Sequence, residues 1–374
     1  MYTDGEDEHQ SVFSRVYPWR SFSLPSSRHP RACVRVRRAM KPVARLVIRA
    51  PNWLGDAVMA LPAIEAMRRA YPDAALVVAA RAPVAPIFEE ETAAAPDEIL
   101  VVDPARETAQ LRDSKADAIL LLPNSFESAW RASRAGIAER WGYRAGGRGW
   151  LLTRGVPRPR GRVHQIEYYR ALVRGLGVDT PEGAPRMAPR PQTRASADAL
   201  LAQNGVRPGD TLVGFAPGAA YGHAKQWPPD RVARVIGALS GRAMTAVLVG
   251  AAADRGTARA IESSLPAGTR VVDLVGRTSL RQLVGVIARC AAFVSNDSGA
   301  MHVAAALGVP LTAIFGPTDQ RVTAPAGPAA GAIDVIVRDV FCRPCLLREC
   351  PIDHRCMKRI DADTVLRSLT GHLA

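Results

Sequence analysis

Short apolar runs alternate with stretches of helical spacing along most of the chain, and this alternation occurs twice. The strand-like runs of the first unit are residues 45–49, 75–80, 98–102 and 117–122. A helical pattern at 163–176 closes that unit, and the alternation restarts at 211–215 and continues to 311–315. Strands that alternate with helices form parallel sheets. The sequence therefore predicts an α/β fold of two doubly wound units, with ligands bound in a cleft between them at the carboxyl ends of the strands.

Composition divides the chain into four parts. The first forty residues begin acidic and become rich in Ser, Arg and Pro without apolar periodicity, which is typical of a disordered segment. Met40 directly precedes the first strand, so we expect it to be the true start of the protein. We predict a disordered extension, a first α/β domain, a linker with a short helix, and a second α/β domain with a terminal helix, at 1–40, 41–180, 181–208 and 209–374.

The charge of the chain limits the classes of partner. Its 374 residues carry a net charge of +14, which favours nucleic acid, an anionic membrane surface or phosphorylated substrates. The positive charge is scattered and accompanies no nucleic-acid motif, so we expect a phosphate-bearing substrate or a membrane surface and no nucleic acid. No apolar run approaches the ~20 residues that a membrane-spanning helix needs.

The first motif, Ala50-Pro-Asn-Trp-Leu-Gly-Asp56, follows the first predicted strand. Gly55 permits a tight turn and the close approach of a substrate. Asp56 stands at the start of a helix at the carboxyl edge of the sheet, where a carboxylate can act as a base that faces the cleft. The alternative is that Asp56 only caps the helix.

The second motif runs from Phe215 to Pro228 and follows the first strand of the second unit. It contains Gly218, Gly222 and Lys225, one of only four lysines in the chain. A compact ammonium in a glycine-rich loop suits contact with a phosphate. A solvated loop lysine is the alternative.

The third motif is Ser295-Asn-Asp-Ser-Gly-Ala-Met-His302, between a buried strand and an apolar helix. A small-residue turn that opens a helix presents backbone N–H groups and the positive end of the helix dipole to a phosphate. Asp297 would repel an anion and fits better as an acceptor for sugar or ribose hydroxyls. The alternatives are that Asp297 and Ser298 cap the helix and that His302 is a core residue.

Four cysteines lie within fifteen residues, at Cys342, Cys345, Cys350 and Cys356, with His354 between the last two. Thiols and an imidazole are suited to zinc, and a structural zinc is one interpretation of the cluster. Reduced, partly buried thiols are the other, because disulfides do not persist in a reducing cytosol.

Three motifs, in this order, resemble those of glycosyltransferase family 9, the ADP-heptose:lipopolysaccharide heptosyltransferases. The resemblance rests on Pro51-Asn-Trp-Leu-Gly-Asp-Ala-Val58, Lys225-Gln-Trp-Pro228 and Asn296-Asp-Ser-Gly-Ala-Met-His-Val-Ala-Ala-Ala-Leu307. The cysteine segment looks like that of many heptosyltransferase II sequences. Together these features cover about residues 41–374.

The resemblance implies a GT-B-type fold, in which two Rossmann-like doubly wound domains face a central cleft and bind the acceptor and the nucleotide-sugar. It implies an inverting transfer of heptose from ADP-heptose to phosphorylated Kdo/heptose lipid A in the lipopolysaccharide inner core, as the second heptose. No metal or other cofactor would be required for catalysis. The enzyme would be cytoplasmic and peripheral at the cytoplasmic face of the inner membrane.

The resemblance also implies roles for single residues. Asp56, next to Gly55, corresponds to the family's general base, and Lys225 corresponds to its phosphate-contacting lysine. Thr278 is expected near the adenosine, and Asp254 stands where some relatives place a glutamate for the ribose. The residues expected around the donor sugar and the diphosphate are Asp297, Ser298, Gly299 and His302.

Four arginines of the first domain are candidate contacts for an acidic acceptor, and a solvated basic face is the alternative. They are Arg131, Arg134, Arg144 and Arg148.

Two other functions are open at the level of sequence. A sugar-nucleotide epimerase on the same fold would act on the donor without any acceptor. A zinc-stapled, non-enzymatic interaction protein would use the cysteine cluster, but that hypothesis leaves the three strand-end motifs without a role.

Overall fold

The computed structural model describes residues 43–373, so the extension expected at 1–40 lies outside the described residues. Within that range, the first half of the chain forms a six-stranded parallel sheet. Leu46, Val47 and Ile48 of its central strand are fully buried, because helices cover both faces of the sheet. The strands are β1 (Arg45–Arg49), β2 (Ala75–Arg81), β3 (Glu98–Val102), β4 (Ala118–Leu121), β5 (Glu139–Tyr143) and β6 (Arg154–Val156).

The helices of the first half connect successive strands, as parallel pairing requires. The longest is α1, whose inner face is apolar and which packs against α5. The helices are α1 (Leu54–Ala70), α2 (Ala85–Glu89), α3 (Glu107–Asp113), α4 (Phe126–Arg134) and α5 (Gln165–Gly175), with a 3-10 helix at Arg148–Leu151.

The second half repeats this architecture. Within the described residues it forms a second six-stranded parallel sheet, and its strands β10 and β11 are also buried on both faces. The strands are β7 (Thr211–Ala216), β8 (Met244–Leu248), β9 (Val271–Asp273), β10 (Cys290–Asn296), β11 (Leu311–Phe315) and β12 (Ile333–Val337).

The helices of the second half cover both faces of the second sheet. They are α6 (Pro191–Gln203), α7 (Pro229–Ser240), α8 (Arg255–Ser263), α9 (Leu280–Ala288), α10 (Gly299–Leu307), α11 (Gln320–Thr323), α12 (Arg355–Lys358) and α13 (Ala362–His372). Short 3-10 helices lie at His223–Lys225, Ala252–Asp254 and Ala330–Ala332.

Both sheets have the strand order of a doubly wound fold. The first runs β3-β2-β1-β4-β5-β6 and the second runs β12-β11-β10-β7-β8-β9. The order reverses between β1 and β4 and between β10 and β7, and a crevice opens at the carboxyl ends of the strands at such a point. The loops that follow β1, β7 and β10 carry the three motifs, so the topology places all three at crevices.

The two halves pack against one another. Helix α1 contacts α10, and α2 contacts α9. One continuous cluster of buried side chains includes Leu46 of β1 and Phe315 of β11. Ionic contacts reinforce it, since Arg162 Nη1 donates to Asp319 Oδ2 at 2.9 Å.

The predicted α/β fold with two doubly wound units is confirmed. The sequence did not predict β5, β6 or β12. The short helix expected within the 181–208 linker is present as α6, which begins at Pro191. None of the helices within residues 43–373 combines the length and apolarity that crossing a bilayer requires.

Candidate active site

Asp56 lies in the first turn of α1, directly after β1. The N-cap residue is Trp53, which makes no side-chain capping bond, so Asp56 is not the helix cap. Burial raises the pKa of Asp56 to about 6. The hydrogen bond with Tyr169 and the charge of Lys225 lower that pKa, and the Asp297 carboxylate raises it. A half-buried carboxylate that ionises just below neutral pH is suited to accept a proton.

Lys225 comes from the loop after β7 and meets Asp297 from the end of β10. Lys225 Nζ lies 2.6 Å from Asp297 Oδ2, and the two side chains are 13% and 6% exposed. The same carboxylate oxygen accepts from Thr318 Oγ1 at 2.7 Å. The ammonium also lies 5.0 Å from the centre of the Tyr221 ring. The cleft therefore holds a cation that is positioned by Asp297 and Tyr221, and Thr318 fixes the Asp297 carboxylate.

The third motif forms the start of α10. Ser298 occupies the N-cap position in an extended conformation, but its side chain makes no capping hydrogen bond. Its hydroxyl lies 3.0 Å from Ser295 Oγ instead. Ser298 is therefore the N-cap residue by position, but its side chain does not cap the helix. The first-turn N–H groups of α10, at Gly299 and beyond, take no acceptor from this side chain, and such a turn favours an anion.

His302 and Gly55 meet where the two halves of the chain join. A Cβ atom built on Gly55 would lie 2.7 Å from His302 Cδ2, which is closer than real Cβ contacts. In the same way, a Cβ on Gly299 would lie 2.8 Å from Leu54 Cβ. Burial lowers the pKa of His302 to about 4, so its imidazole is neutral at pH 7. The space that the missing Gly55 side chain leaves is therefore filled by the His302 ring of the protein itself.

Asn296, which sequence reasoning missed, holds together the loops at the crevice of the second sheet. Its Nδ2 donates to Pro217 O at 2.5 Å, and its Oδ1 accepts from Trp227 N at 3.3 Å. It is buried and lies at the last position of β10. A polar residue at the end of an apolar strand is the signal that could have found it, because a buried amide needs hydrogen-bond partners.

Tyr169 was also missed, and no local sequence pattern marks it. It lies inside α5, which packs against α1, and it is buried. Burial and the neighbouring Asp56 carboxylate raise the pKa of Tyr169 well above its ordinary value, so its hydroxyl keeps its proton. Tyr169 therefore acts as the donor in its hydrogen bond with Asp56.

Asp254 follows β8 and Thr278 follows β9, so both lie at the carboxyl ends of strands of the second sheet. Thr278 is half-buried in the turn between β9 and α9. Asp254 Oδ2 accepts from Ala251 N at 2.9 Å. A Cβ atom on Gly218 would overlap the Asp254 carboxyl group at 2.1 Å, so this carboxylate lies directly against the loop after β7.

The four candidate arginines differ in their exposure and in their partners. Arg148 is fully buried, so its assignment as an acceptor contact is wrong. Arg131 Nη1 lies 2.7 Å from the buried carboxylate of Glu107. Arg134 lies over the ring of Trp130 at 5.9 Å, and Arg144 is exposed. Only the last two keep guanidinium groups at the surface that an acidic molecule can reach.

The four cysteines lie between β12 and the end of α12. Burial raises the pKa of Cys356, and the thiols of Cys342, Cys350 and Cys345 raise it further. The sulfurs are therefore near enough to influence one another. Yet no three His, Cys, Asp or Glu side chains within residues 43–373 surround a point in the manner of a metal site.

The cysteine segment also braces the loop that carries Lys225. Ala224 N donates to Arg348 O at 2.9 Å, and the His354 ring hydrogen-bonds to Ala224 O at 2.7 Å. A Cβ atom on Gly222 would lie 2.4 Å from Arg348 O. The backbone of the Lys225 loop, which is the candidate phosphate site, is therefore supported by the cysteine segment.

Comparison with known proteins identifies relatives that share this architecture. Residues 105–355 match the family model described as glycosyltransferase family 9 (heptosyltransferase). Lipopolysaccharide heptosyltransferase 2 of Salmonella typhimurium is 32% identical over 313 residues, which are 78% of this chain and 88% of the relative. Lipooligosaccharide heptosyltransferase 2 of Haemophilus influenzae is 30% identical over 309 residues, again 78% of this chain and 88% of the relative.

A solved structure agrees with these relatives. The structure of E. coli ADP-heptose lps heptosyltransferase II matches with a TM-score of 0.75 and 28% sequence identity, and the match covers 88% of this chain and 98% of that chain. The GT-B-type arrangement expected from the motifs is thereby confirmed.

Proposed function

The chain belongs to glycosyltransferase family 9, the heptosyltransferases, and on this premise we propose that it transfers heptose from ADP-heptose to the lipopolysaccharide inner core, as the second heptose. It is a glycosyltransferase, which removes the epimerase and the non-enzymatic interaction protein from consideration. One observation carries the assignment of roles. Asp56 of the first half lies close enough to Lys225 and Asp297 of the second half for their charges to act on its pKa.

In this proposal Asp56 is the general base. The acceptor hydroxyl loses its proton to the Asp56 carboxylate as its oxygen bonds to the anomeric carbon. The bond between that carbon and the ADP oxygen breaks in the same step. Attack from the face opposite the leaving group inverts the anomeric centre. Tyr169 holds the carboxylate toward the cleft by donating its hydroxyl hydrogen.

Lys225 and the start of α10 stabilise the leaving ADP. Negative charge grows on the diphosphate as the glycosidic bond breaks, and a preorganised ammonium and backbone N–H groups are favourable partners for it. Asp297 holds the ammonium in place at 2.6 Å in the structure. The Lys225 ammonium and the partial positive charge at the start of α10 would together take the place of a divalent cation, and we propose that catalysis needs no metal.

The halves divide the substrates between them. We assign the acceptor, phosphorylated Kdo/heptose lipid A, to residues 41–180, and ADP-heptose to residues 209–374, where Thr278, Asp297, Ser298, Gly299 and His302 are the proposed contacts. Residues 181–208 connect the two. Because that acceptor is anchored in lipid, we further propose a cytoplasmic enzyme that binds the inner membrane surface peripherally.

A structural zinc at Cys342, Cys345, Cys350 and Cys356 is a separate proposal. It is supported by four soft ligands in one short segment. The described arrangement does not surround a metal, so binding requires the sulfurs to converge. Elemental analysis of protein purified without chelator tests this, and a zinc content that does not fall in Cys345→Ser would reject it.

A transfer assay tests the function. The enzyme is incubated with ADP-heptose and with inner-core acceptors that carry or lack a first heptose, and product is measured by mass. We expect transfer only to the heptose-bearing acceptor, with inverted anomeric configuration and without loss of rate in EDTA. Asp56→Asn should lower the turnover number by about 10²–10⁴-fold while ADP binding stays unchanged.

Asp73→Asn is the matched control for that variant. Asp73 is exposed just beyond the other end of α1, so its substitution changes the same charge without entering the cleft. Equal activity of Asp56→Asn and Asp73→Asn would remove Asp56 from the role of base. Donor hydrolysis or epimerisation without acceptor would instead reject the transfer function.

A further inference from the structure

Three exposed aromatic side chains stand together on the first half of the chain. Phe126 and Trp130 lie one turn apart on α4, and Trp150 lies in the 3-10 helix after β5. The Phe126 ring centroid lies 6.2 Å from that of Trp130 and 6.2 Å from that of Trp150. The three side chains, here called the aromatic platform, are 43%, 43% and 70% exposed. Apolar clusters of this kind on a surface mark contact with another molecule or with a membrane.

A buried arginine fixes the platform. Arg148 Nη1 donates to Pro123 O at 2.5 Å and to Ser128 Oγ at 2.9 Å, and its Nε donates to Tyr143 O at 3.0 Å. Pro123 lies in the turn before α4, Ser128 lies in the first turn of α4, and Arg148 belongs to the 3-10 helix that contains Trp150. These hydrogen bonds hold α4 and the 3-10 helix together. The fold itself therefore keeps the three rings exposed.

The aromatic platform lies on the same edge of the sheet as Asp56. Asp56 follows β1, Phe126 follows β4, and Trp150 follows β5. These three parallel strands are neighbours in the order β1-β4-β5, and adjacent strands lie about 4.8 Å apart. A molecule that is held at the platform therefore has its adjoining part near the proposed base.

The segment that carries the platform is strongly basic, although the sequence as a whole has no basic arm. Residues 126–162 contain nine arginines and two glutamates, so this stretch contributes seven of the net fourteen positive charges of the chain. Arg134, Arg144, Arg158 and Arg160 are exposed. The two glutamates are engaged within the protein, because Glu127 pairs with Arg131 and Glu139 accepts from Trp141 Nε1 at 3.2 Å.

We propose that the aromatic platform is the surface by which this protein docks on an anionic phospholipid bilayer. Tryptophan rings favour the boundary between headgroups and acyl chains, and each nearby arginine adds attraction to acidic lipid. Carbohydrate is the less favoured occupant, because the carboxylates that would bind sugar hydroxyls are already paired. The inference rests on the proposed function in one respect, since a lipid-anchored acceptor is what brings the cleft to a bilayer.

Vesicle cosedimentation tests the docking surface. Full-length protein is mixed with vesicles of phosphatidylglycerol and phosphatidylcholine in equal parts, and with vesicles of phosphatidylcholine alone. We expect binding to the mixed vesicles that weakens in high salt and on pure phosphatidylcholine. Trp150→Ser, at the most exposed ring of the platform, should weaken binding about tenfold.

Phe341→Ser is the matched control, because Phe341 is an aromatic side chain of the second half that is 78% exposed. It should bind vesicles as the unaltered protein does. An equal loss in both variants, or no loss in Trp150→Ser, would overturn the assignment. So would self-association of the unaltered protein that Trp150→Ser abolishes, since a second copy would then be the occupant.

Transfer to an acceptor oligosaccharide without lipid separates this inference from the proposed function. Trp150→Ser should keep that activity and lose transfer to acceptor embedded in vesicles. A raised KM for the lipid-free acceptor with intact vesicle binding would assign the platform to carbohydrate and overturn the docking proposal. Failure of the unaltered protein to transfer heptose at all would reject the proposed function, while its vesicle binding would still decide the docking surface.

Discussion

At the scale of single residues, the site is centred on the carboxyl group of Asp56, whose pKa is raised by some surroundings and lowered by others. Burial and Asp297 raise the pKa of Asp56, and Tyr169 and Lys225 lower it, which leaves it at about 6. A base of this strength is charged at neutral pH and still accepts a proton readily. Tyr169 is a positioning residue in this arrangement, because it reaches the reaction only through Asp56.

This balance predicts the pH dependence of catalysis. Protonated Asp56 cannot act as a base, so kcat/KM should fall about tenfold per pH unit as pH drops below about 6. Tyr169→Phe removes a hydrogen bond that lowers the pKa of Asp56. The acid limb of the profile should therefore move to higher pH, by up to about one unit.

Tyr143→Phe is the control for that profile. It removes another buried hydroxyl, which donates to Tyr168 O at 2.5 Å and is not bonded to Asp56. Its acid limb should match that of the unaltered enzyme at the same substrate concentrations. An acid limb of Tyr169→Phe that does not move, or moves to lower pH, would contradict the role given to Tyr169.

Several of these residues could be predicted from the sequence to lie close together. Asp56, Lys225 and Asp297 each follow a predicted strand, and parallel strands bring their carboxyl ends to common edges. Tyr169 could not be found this way, because its place depends on how α5 packs against α1. The burial of Arg148 was also hidden, since its partners are mostly backbone carbonyl groups that any sequence provides.

At the scale of elements, the first turns of α1 and α10 face one another across the seam between the halves. Each turn places a glycine against a side chain of the other, Gly55 against His302 and Gly299 against Leu54. The absence of a Cβ atom at both glycines lets the two helix ends approach closely. Because α1 carries Asp56 and α10 follows Asp297, this contact sets the spacing of the two half-sites.

Alanine substitution tests the contact. Gly299→Ala places a methyl group 2.8 Å from Leu54 Cβ and should lower the free energy of unfolding by about 1–3 kcal/mol. Gly256→Ala, in α8 where a Cβ meets nothing within 4 Å, should raise it by about 0.5–1 kcal/mol. Urea denaturation measures both, and a Gly299→Ala protein as stable as Gly256→Ala would show that the helix ends are not tightly packed.

Apolar patterning explains which elements were predictable. The central strands are continuous runs of buried aliphatic residues, and those runs were predicted. Strand β5 reads Glu139-Arg-Trp-Gly-Tyr143 and β6 has three residues, so neither has a local apolar pattern strong enough to predict it. Strand β12 does have one, Ile333-Asp-Val-Ile-Val337, and was predictable from it. Helix α6 begins at Pro191 because proline suits the first helical position.

At the scale of the whole molecule, the two halves form separate sheets, but they share one continuous hydrophobic core. The buried cluster that contains Leu46 also contains Ala197 and Phe315, so apolar packing is continuous between the halves. His164 adds a polar link from the first half, because its Nε2 hydrogen-bonds to Ala324 O at 2.9 Å. Separation of the halves would expose this surface, which is unfavourable.

Thermal unfolding should therefore occur in one transition. Calorimetry should give a single peak, and ADP should shift that peak as a whole although it contacts mainly the second half in the proposed complex. Tryptophan fluorescence, to which Trp53, Trp130, Trp141 and Trp150 of the first half contribute most of the indoles, should follow the same midpoint. Two separated transitions, of which ADP moves only one, would show that the halves unfold independently.

Trp53 follows β1 and is 60% exposed, three positions before Asp56. Any molecule that fills the space over that carboxylate must displace water from the indole, and an indole that loses water emits at shorter wavelength. In a variant whose other five tryptophans are replaced by phenylalanine, Trp53 should therefore report occupancy of the proposed acceptor site, and ligand titrations could be read from it without a dye or a radioactive donor.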